Sequence, residues 1–118
     1  MTTAWTNESS PFHQGEQAIQ QRLGVRDKLE KLGRRMIRDH MPDQHRAFFE
    51  QLPLIIIGSV DQAGRPWASA MAGQPGFIST PDDRRLNIAG RPIAGDPLND
   101  TLLAGTDVGL LGIDFQQR

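Results

Sequence analysis

Residues 52–77, which read LPLIIIGSVDQAGRPWASAMAGQPGF, decide the fold of this chain. The apolar run at residues 54–60 is rich in β-branched side chains and predicts a buried strand. The turn signal at residues 61–64 predicts that residues 65–72 pair back on it as a β-hairpin. Apart from Trp67, this second strand carries mostly small side chains, including Ser69. Because small side chains leave the backbone accessible, the hairpin is a candidate platform for a flat aromatic group.

The bulk composition indicates a small protein without a strong excess of charge. The 118 residues suit one domain at most, and 13 basic against 14 acidic residues give a net charge of −1. We therefore expect neither nucleic-acid binding nor membrane association. The absence of cysteine excludes disulfides, thiolate metal sites and cysteine nucleophiles. A polar N-terminus without a hydrophobic signal region predicts a cytoplasmic protein.

The first half of the chain has helical periodicity. Residues 1–13 are interpreted as a flexible tail, and residues 14–52 as an N-terminal helical segment. Apolar residues at positions 25, 29, 32 and 36 form one stripe of an amphipathic helix. Gly24 is expected to separate this helix from a shorter one before it, and Pro42 to separate it from a short one after it.

The second half, residues 53–118, has strand periodicity and is interpreted as an antiparallel sheet domain. Strands are predicted at residues 76–79, 85–89 and 106–115, and a short helix at residues 97–103 with Asp96 as its N-cap. The sum is an α+β chain, mainly β with N-terminal helices, whose sheet does not close. The exposed apolar edge at residues 108–113 predicts either a truncated chain or completion by a partner subunit.

Familiar catalytic and metal-binding motifs are missing from the sequence. His13, His40 and His45 lack the clustering of a zinc site and are interpreted as surface or helix-capping residues, so no metal is predicted. No P-loop, dinucleotide-binding glycine motif or serine nucleophile elbow occurs. No side chain is a convincing general acid or base, and the catalytic residues stay unassigned.

Six short motifs occur in an order that is characteristic of one protein family. They are SPFHQGE at residues 10–16, IRDHMPDQHR at 37–46, GRPWAS at 64–69, GQPGF at 73–77, GDPL at 95–98 and GLLGI at 109–113. In this order they resemble the pyridoxamine 5′-phosphate oxidase-related, FMN-binding split-barrel superfamily, and its flavin-nucleotide-binding branch in particular. The resemblance covers nearly the whole chain and implies that residues 53–118 are the N-terminal part of that family's split barrel. It implies a homodimeric flavoprotein with FMN bound in a groove between the subunits.

The resemblance also implies which residues hold the cofactor. Ten positions correspond to the flavin contacts of the family: Trp67, Ala68, Ser69 and Ala70 along the ring; Asn87, Ile88 and Ala89 beside it; Arg91, Asp96 and Leu98 near the ribityl phosphate. The implied activity is an oxidoreductase that transfers electrons or hydride through FMN. It leaves room for a nicotinamide cofactor or a redox partner.

Two other functions remain open at this point. The chain could be a non-catalytic split-barrel module for binding or assembly, with weak or no flavin binding. It could also be a haem-handling relative of the same fold, which the three histidines and family analogy alone suggest.

Overall fold

The computed structural model describes residues 4–116, and these divide into two compact units, one ending at Met41 and the other beginning at Pro42. The first unit contains α1 (Gln14–Arg22) and α2 (Arg26–Met36). The second contains α3 (Asp43–Glu50), β1 (Leu54–Val60), β2 (Pro66–Ala72), β3 (Ile78–Asp82), β4 (Arg85–Ile88), α4 (Leu98–Thr101) and β5 (Gly109–Leu111). The helical segment predicted for residues 14–52 is thus divided, because α3 packs on β3 and belongs with the strands.

The first helix begins with a capping box. Nδ1 of His13 accepts hydrogen bonds from the backbone N–H groups of Gly15 and Glu16, at 3.0 and 3.2 Å. The Glu16 carboxylate in turn accepts the N–H of His13 at 2.9 Å. These bonds satisfy backbone donors that a helix start leaves unpaired. His13 is therefore a helix cap, as its sequence context predicts.

The segment before α1 makes specific contacts with α2 at the described residues. The backbone N–H of Trp5 donates to the Arg34 carbonyl at 2.8 Å, and the Ser10 hydroxyl donates to Glu30 at 2.6 Å. Glu30 also pairs with Arg26 and Arg34. Where the sequence predicts a flexible tail at residues 1–13, the structure places a hydrogen-bonded strap from residue 4 onward; residues 1–3 lie outside the described part.

The predicted hairpin of β1 and β2 is confirmed. The strands are antiparallel, with Leu54 opposite Ala72 and Val60 opposite Pro66. Strand β5 pairs with the other side of β1, which gives the order β2-β1-β5. Alternate residues point to opposite sides of a sheet. We call the side to which Ile55 and Ile57 point the core face, and the opposite side of the sheet the open face.

Two predicted strands have different bounds. Strand β3 extends past its predicted end at residue 79 to Asp82 and pairs with β4 in a separate two-stranded sheet. The strand predicted for residues 106–115 is reduced to three residues, Gly109–Leu111. The chain leaves the sheet at Gly112, where its backbone passes so close to α3 that an added Cβ would lie 2.8 Å from Leu52 and 2.9 Å from Phe49.

A single hydrophobic core lies in the second unit, beneath the core face. Its seven buried members are Leu52, Ile55, Ile57, Met71, Phe77, Ile78 and Leu98, and parts of α3 and β4 pack against them. The fold of the described residues is therefore a mixture of helices and small antiparallel sheets, and the sheets do not close into a barrel. None of the helices within residues 4–116 has the length and apolar character needed to span a membrane.

Candidate functional site

Trp67 lies beside the turn that joins β1 to β2, and Asp61 organises this turn. Oδ1 of Asp61 accepts hydrogen bonds from the backbone N–H groups of Ala63 and Arg65, both at 2.9 Å. Its Oδ2 accepts from the Trp67 indole at 3.0 Å and from the Arg65 guanidinium at 2.8 Å. These donors, the indole above all, lower the pKa of Asp61 to about 2. The indole is fixed in position, yet 42% of the residue is exposed.

Ser69 faces the core, where it ties β2 to the start of α4. Its hydroxyl donates to Oδ1 of Asp96 at 2.6 Å, and the same oxygen accepts the backbone N–H of Leu98 at 2.8 Å. These two bonds, with the Ser69 bond the stronger influence, lower the pKa of Asp96. Ser69 and Leu98 are buried. The structure thus brings three predicted cofactor residues together, but engages them in holding the fold.

Ala68 and Ala70 point to the open face. In the sheet, Ala68 lies opposite Gly58, which lies opposite Gly109, so that a row of very small residues crosses all three strands. A Cβ added at Gly109 would meet no atom within 4 Å, which shows how open the surface is at this point. This end of the sheet carries a shallow depression of about 400 Å³, whose lining includes Gly58, Val60, Pro66 and Gly109.

The remaining predicted contacts lie on or after β4. Asn87 and Ala89 are exposed, and Ile88 is half-buried and packs against the core. The N–H of Ala89 donates to the carbonyl of Phe77 at 2.7 Å, which continues the pairing of β3 and β4. Arg91 is exposed, and its guanidinium makes no hydrogen bond or ion pair with any residue between 4 and 116. It is available for an anionic ligand.

The histidines and acidic residues do not assemble a metal site in the described part of the chain. No group of three metal-ligating side chains occurs there. His40 pairs through Nδ1 with Asp39 at 3.0 Å, and His45 is exposed on α3. The interpretation of the histidines as capping or surface residues agrees with these positions.

A cleft of about 560 Å³, which Trp67 also lines, lies between the β1–β2 turn and the start of α4. Asp61 and Arg65 line it from the turn, and Pro97 and Asp100 line it from α4. A buried hydrogen bond of 3.2 Å between the hydroxyls of Thr101 and Ser59 fastens α4 to β1. The two walls are therefore fixed independently, each by polar contacts with the sheet or the turn.

The sequence interpretation missed Gly58, Gly109 and Asp61. A glycine inside a strand often marks a place where another group approaches the backbone closely, and this signal was present at both glycines. Asp61 was assigned only to a turn. An Asp six residues before a Trp gives no sequence signal for a hydrogen bond between their side chains, so its contact with Trp67 could not be anticipated.

Comparisons with known proteins add no relative on which to base a function. No protein-family model, curated protein or solved structure matches this chain. Function must therefore be inferred from the geometry and from the sequence motifs.

Proposed function

We propose that this chain provides part of an FMN-binding oxidoreductase domain of the pyridoxamine 5′-phosphate oxidase-related, split-barrel type. The observation that carries the proposal is the row of Ala68, Gly58 and Gly109 across the open face. It offers a flat, apolar surface of the kind that a planar ring needs for close contact with a sheet. The motif order of the sequence supports the same choice of ligand.

The residues of the open face fit an isoalloxazine ring in shape and polarity. In the next register on this face, Ala70 and Leu111 lie on either side of the larger, half-buried Ile56. Pro66 and Val60 border the depression beside it. Contact with these side chains would remove apolar surface of both partners from water, which favours binding in proportion to the area buried.

The phosphate end of FMN has fewer suitable partners. Ser69 and Asp96 bind each other, and the carboxylate of Asp96 would repel a phosphate. Arg91 is the one predicted contact with an uncommitted cationic group. We therefore assign phosphate binding to Arg91 and leave Ser69, Asp96 and Leu98 out of direct contact with the cofactor.

The role of the protein in this proposal is to bind, orient and shield. FMN supplies hydride or single-electron transfer when bound. Ala68 and Ala70 would allow the ring to approach the strand, and a second subunit would cover the open face and exclude water. This homodimer is part of the proposal, as is a nicotinamide cofactor or redox partner as the electron source.

The test is a titration of the purified full-length chain with FMN, followed by absorbance and calorimetry. We expect saturable binding and, after addition of NADH or NADPH without oxygen, bleaching of the flavin absorbance. Arg91→Gln should weaken FMN binding while leaving the affinity for riboflavin, which has no phosphate, unchanged. The absence of detectable FMN binding in both measurements would contradict the proposal.

A non-catalytic assembly module is the second candidate, and the Ser69–Asp96 bond favours it. Two residues expected to contact the cofactor, Ser69 along the ring and Asp96 near the phosphate, are already used inside the fold, which is consistent with a sheet retained for association alone. This alternative expects tight dimers in light scattering without binding of FMN. Flavin turnover would exclude it.

A further inference from the structure

The cleft between the β1–β2 turn and α4 has features that neither the core nor a flavin-binding face requires. One wall carries the Trp67 indole, which is large, apolar and 42% exposed. Large exposed aromatic side chains beside a concave surface are common anchors for ligands. At about 560 Å³, the cleft has room for a single-ring organic molecule.

Hydrogen bonds hold both walls of this cleft in place before any ligand binds. The indole is held through Nε1 by Oδ2 of Asp61 at 3.0 Å. On the opposite wall, the amide of Asn99 donates to the carbonyls of Ile93 and Asp96, at 2.8 and 3.0 Å. Asp96 itself accepts from Ser69. A ligand would therefore meet an ordered cleft and lose little affinity to its reorganisation.

The charge of the lining selects the type of ligand. Asp61 and Asp100 are acidic and Arg65 is the basic member of the lining, so the cleft carries a net charge of −1. Asp61 and Arg65 are paired at 2.8 Å and largely neutralise each other. The carboxylate of Asp100 is exposed and has no partner among residues 4–116. A phosphate or carboxylate ligand would be repelled, whereas a cation would be attracted.

We propose that this cleft is a second ligand site, which takes a small planar organic cation stacked on Trp67 with its charge facing Asp100. An indole attracts cations more strongly than other aromatic side chains do. A flat cation makes this interaction while keeping the contact area of a stacked ring. The site uses the cleft beside α4 and no phosphate contact, but it shares Trp67 with the lining of the depression on the open face, so cation binding is measured without FMN.

The probe is the 1-methylnicotinamide cation, and the matched control ligand is neutral nicotinamide, which has the same ring and amide. Titrations use the full-length chain without FMN, in a Trp5→Phe background so that fluorescence reports on Trp67. We expect saturable quenching and an indole–pyridinium charge-transfer absorbance with the cation. Neutral nicotinamide should bind at least about two- to fivefold more weakly than the cation. Equal affinities, or no saturable binding of the cation, would overturn the proposal.

Two variants of equal charge locate the site. Asp100→Asn should weaken binding of the cation about two- to fivefold. Asp83→Asn, which removes an exposed carboxylate from the β3–β4 turn, should leave the affinity unchanged. Neither position makes a side-chain contact on which folding depends. If both variants bind like the wild type, or if both weaken binding alike, the cleft is not the site.

Discussion

The two faces of the three-stranded sheet come from the same strands, yet their side chains differ in burial and in hydrogen bonding. On the core face, Ile55 and Ile57 are completely buried and the hydroxyls of Ser59 and Ser69 are hydrogen-bonded. On the open face, small or half-buried apolar residues alternate with them, and Val60 is 56% exposed. Burial of the β1 side chains is thus nearly complete on the core face and only partial on the open face.

The difference separates residues that hold the fold from residues that are free to bind. No buried side-chain polar atom in the described part of the chain lacks a hydrogen-bond partner. The buried polar groups of the core face therefore find all their hydrogen-bond partners within the fold. A contiguous exposed apolar surface usually marks a binding or association surface. The open face, rather than the polar contacts of Ser69 and Asp96, is where we place the function.

The largest expected effect comes from breaking the core face. Ile57→Ala should lower the free energy of unfolding by about 2–5 kcal/mol, because it removes buried methyl groups and leaves a cavity. Val60→Ala, in the same strand but exposed, should change it by no more than about 0.5 kcal/mol. Urea denaturation measures both. Similar losses in the two variants would show that the faces do not differ as described.

The next effect contrasts two glycines. A Cβ at Gly73 would lie 2.6 Å from Cγ of Phe77, an atom next to the main chain that cannot move aside easily. Gly73→Ala should therefore destabilise the protein by about 1–3 kcal/mol, as overpacking does. Gly109→Ala, whose added Cβ would meet no atom within 4 Å, should by contrast not destabilise the protein in the same measurement. An unchanged urea midpoint for Gly73→Ala would contradict the packing.

A smaller effect is the decline of folding stability at acidic pH. Hydrogen bonds lower the pKa values of Asp61, to about 2 from an ordinary 3.8, and of Asp96. A lowered pKa in the folded state contributes stability above the unfolded value of 3.8, and this contribution is lost as the pH falls through the folded pKa. Stability should thus decline as the pH falls from near 4 towards 2.

Ser69→Ala tests this pH dependence, because the Ser69 bond is the main cause of the lowered pKa of Asp96. The variant should be less stable at pH 7 and should lose less of its remaining stability on acidification. Ser79→Ala removes an exposed hydroxyl from β3 and serves as the control. Urea midpoints at pH 7, 4 and 3 measure both. Parallel profiles for wild type and Ser69→Ala would contradict the assigned bond.

The smallest expected effect is a gain in stability on the open face. Gly58→Ala places a Cβ in ordinary contact, 3.9 Å from Cα of Gly109, and restricts the unfolded chain. We expect the free energy of unfolding to rise by about 0.4–1 kcal/mol in urea denaturation. A loss larger than about 1 kcal/mol would mean that another part of the protein already packs tightly on this row.

Local sequence signals predicted the hairpin well, since the apolar run of β1 and the turn at Asp61 both act over a few residues. They failed where contacts between residues distant in the sequence determine the bounds of a strand. Strand β5 is short because Gly112 passes against α3, and β3 extends past its predicted end at residue 79 to Asp82 because β4 pairs with it.

The candidate site could be predicted only in part, for the same reason. The small side chains of β2 indicated a face for a flat ligand, but the interpretation overlooked that alternation along a strand places Ser69 on the side opposite Ala68 and Ala70. Only the register of three strands aligns Ala68, Gly58 and Gly109. Their positions in the sequence are too far apart for any local pattern to join them.

The most direct measurement is a calorimetric titration of FMN into the wild type and Gly109→Val. A Cβ added at Gly109 would meet no protein atom within 4 Å, so the fold should persist while the valine interrupts the flat row. We predict that FMN binds the wild type saturably and binds Gly109→Val at least about tenfold more weakly, with unfolding midpoints that match. Equal FMN affinities in the two proteins, or no binding to either, would contradict a flavin site on the open face.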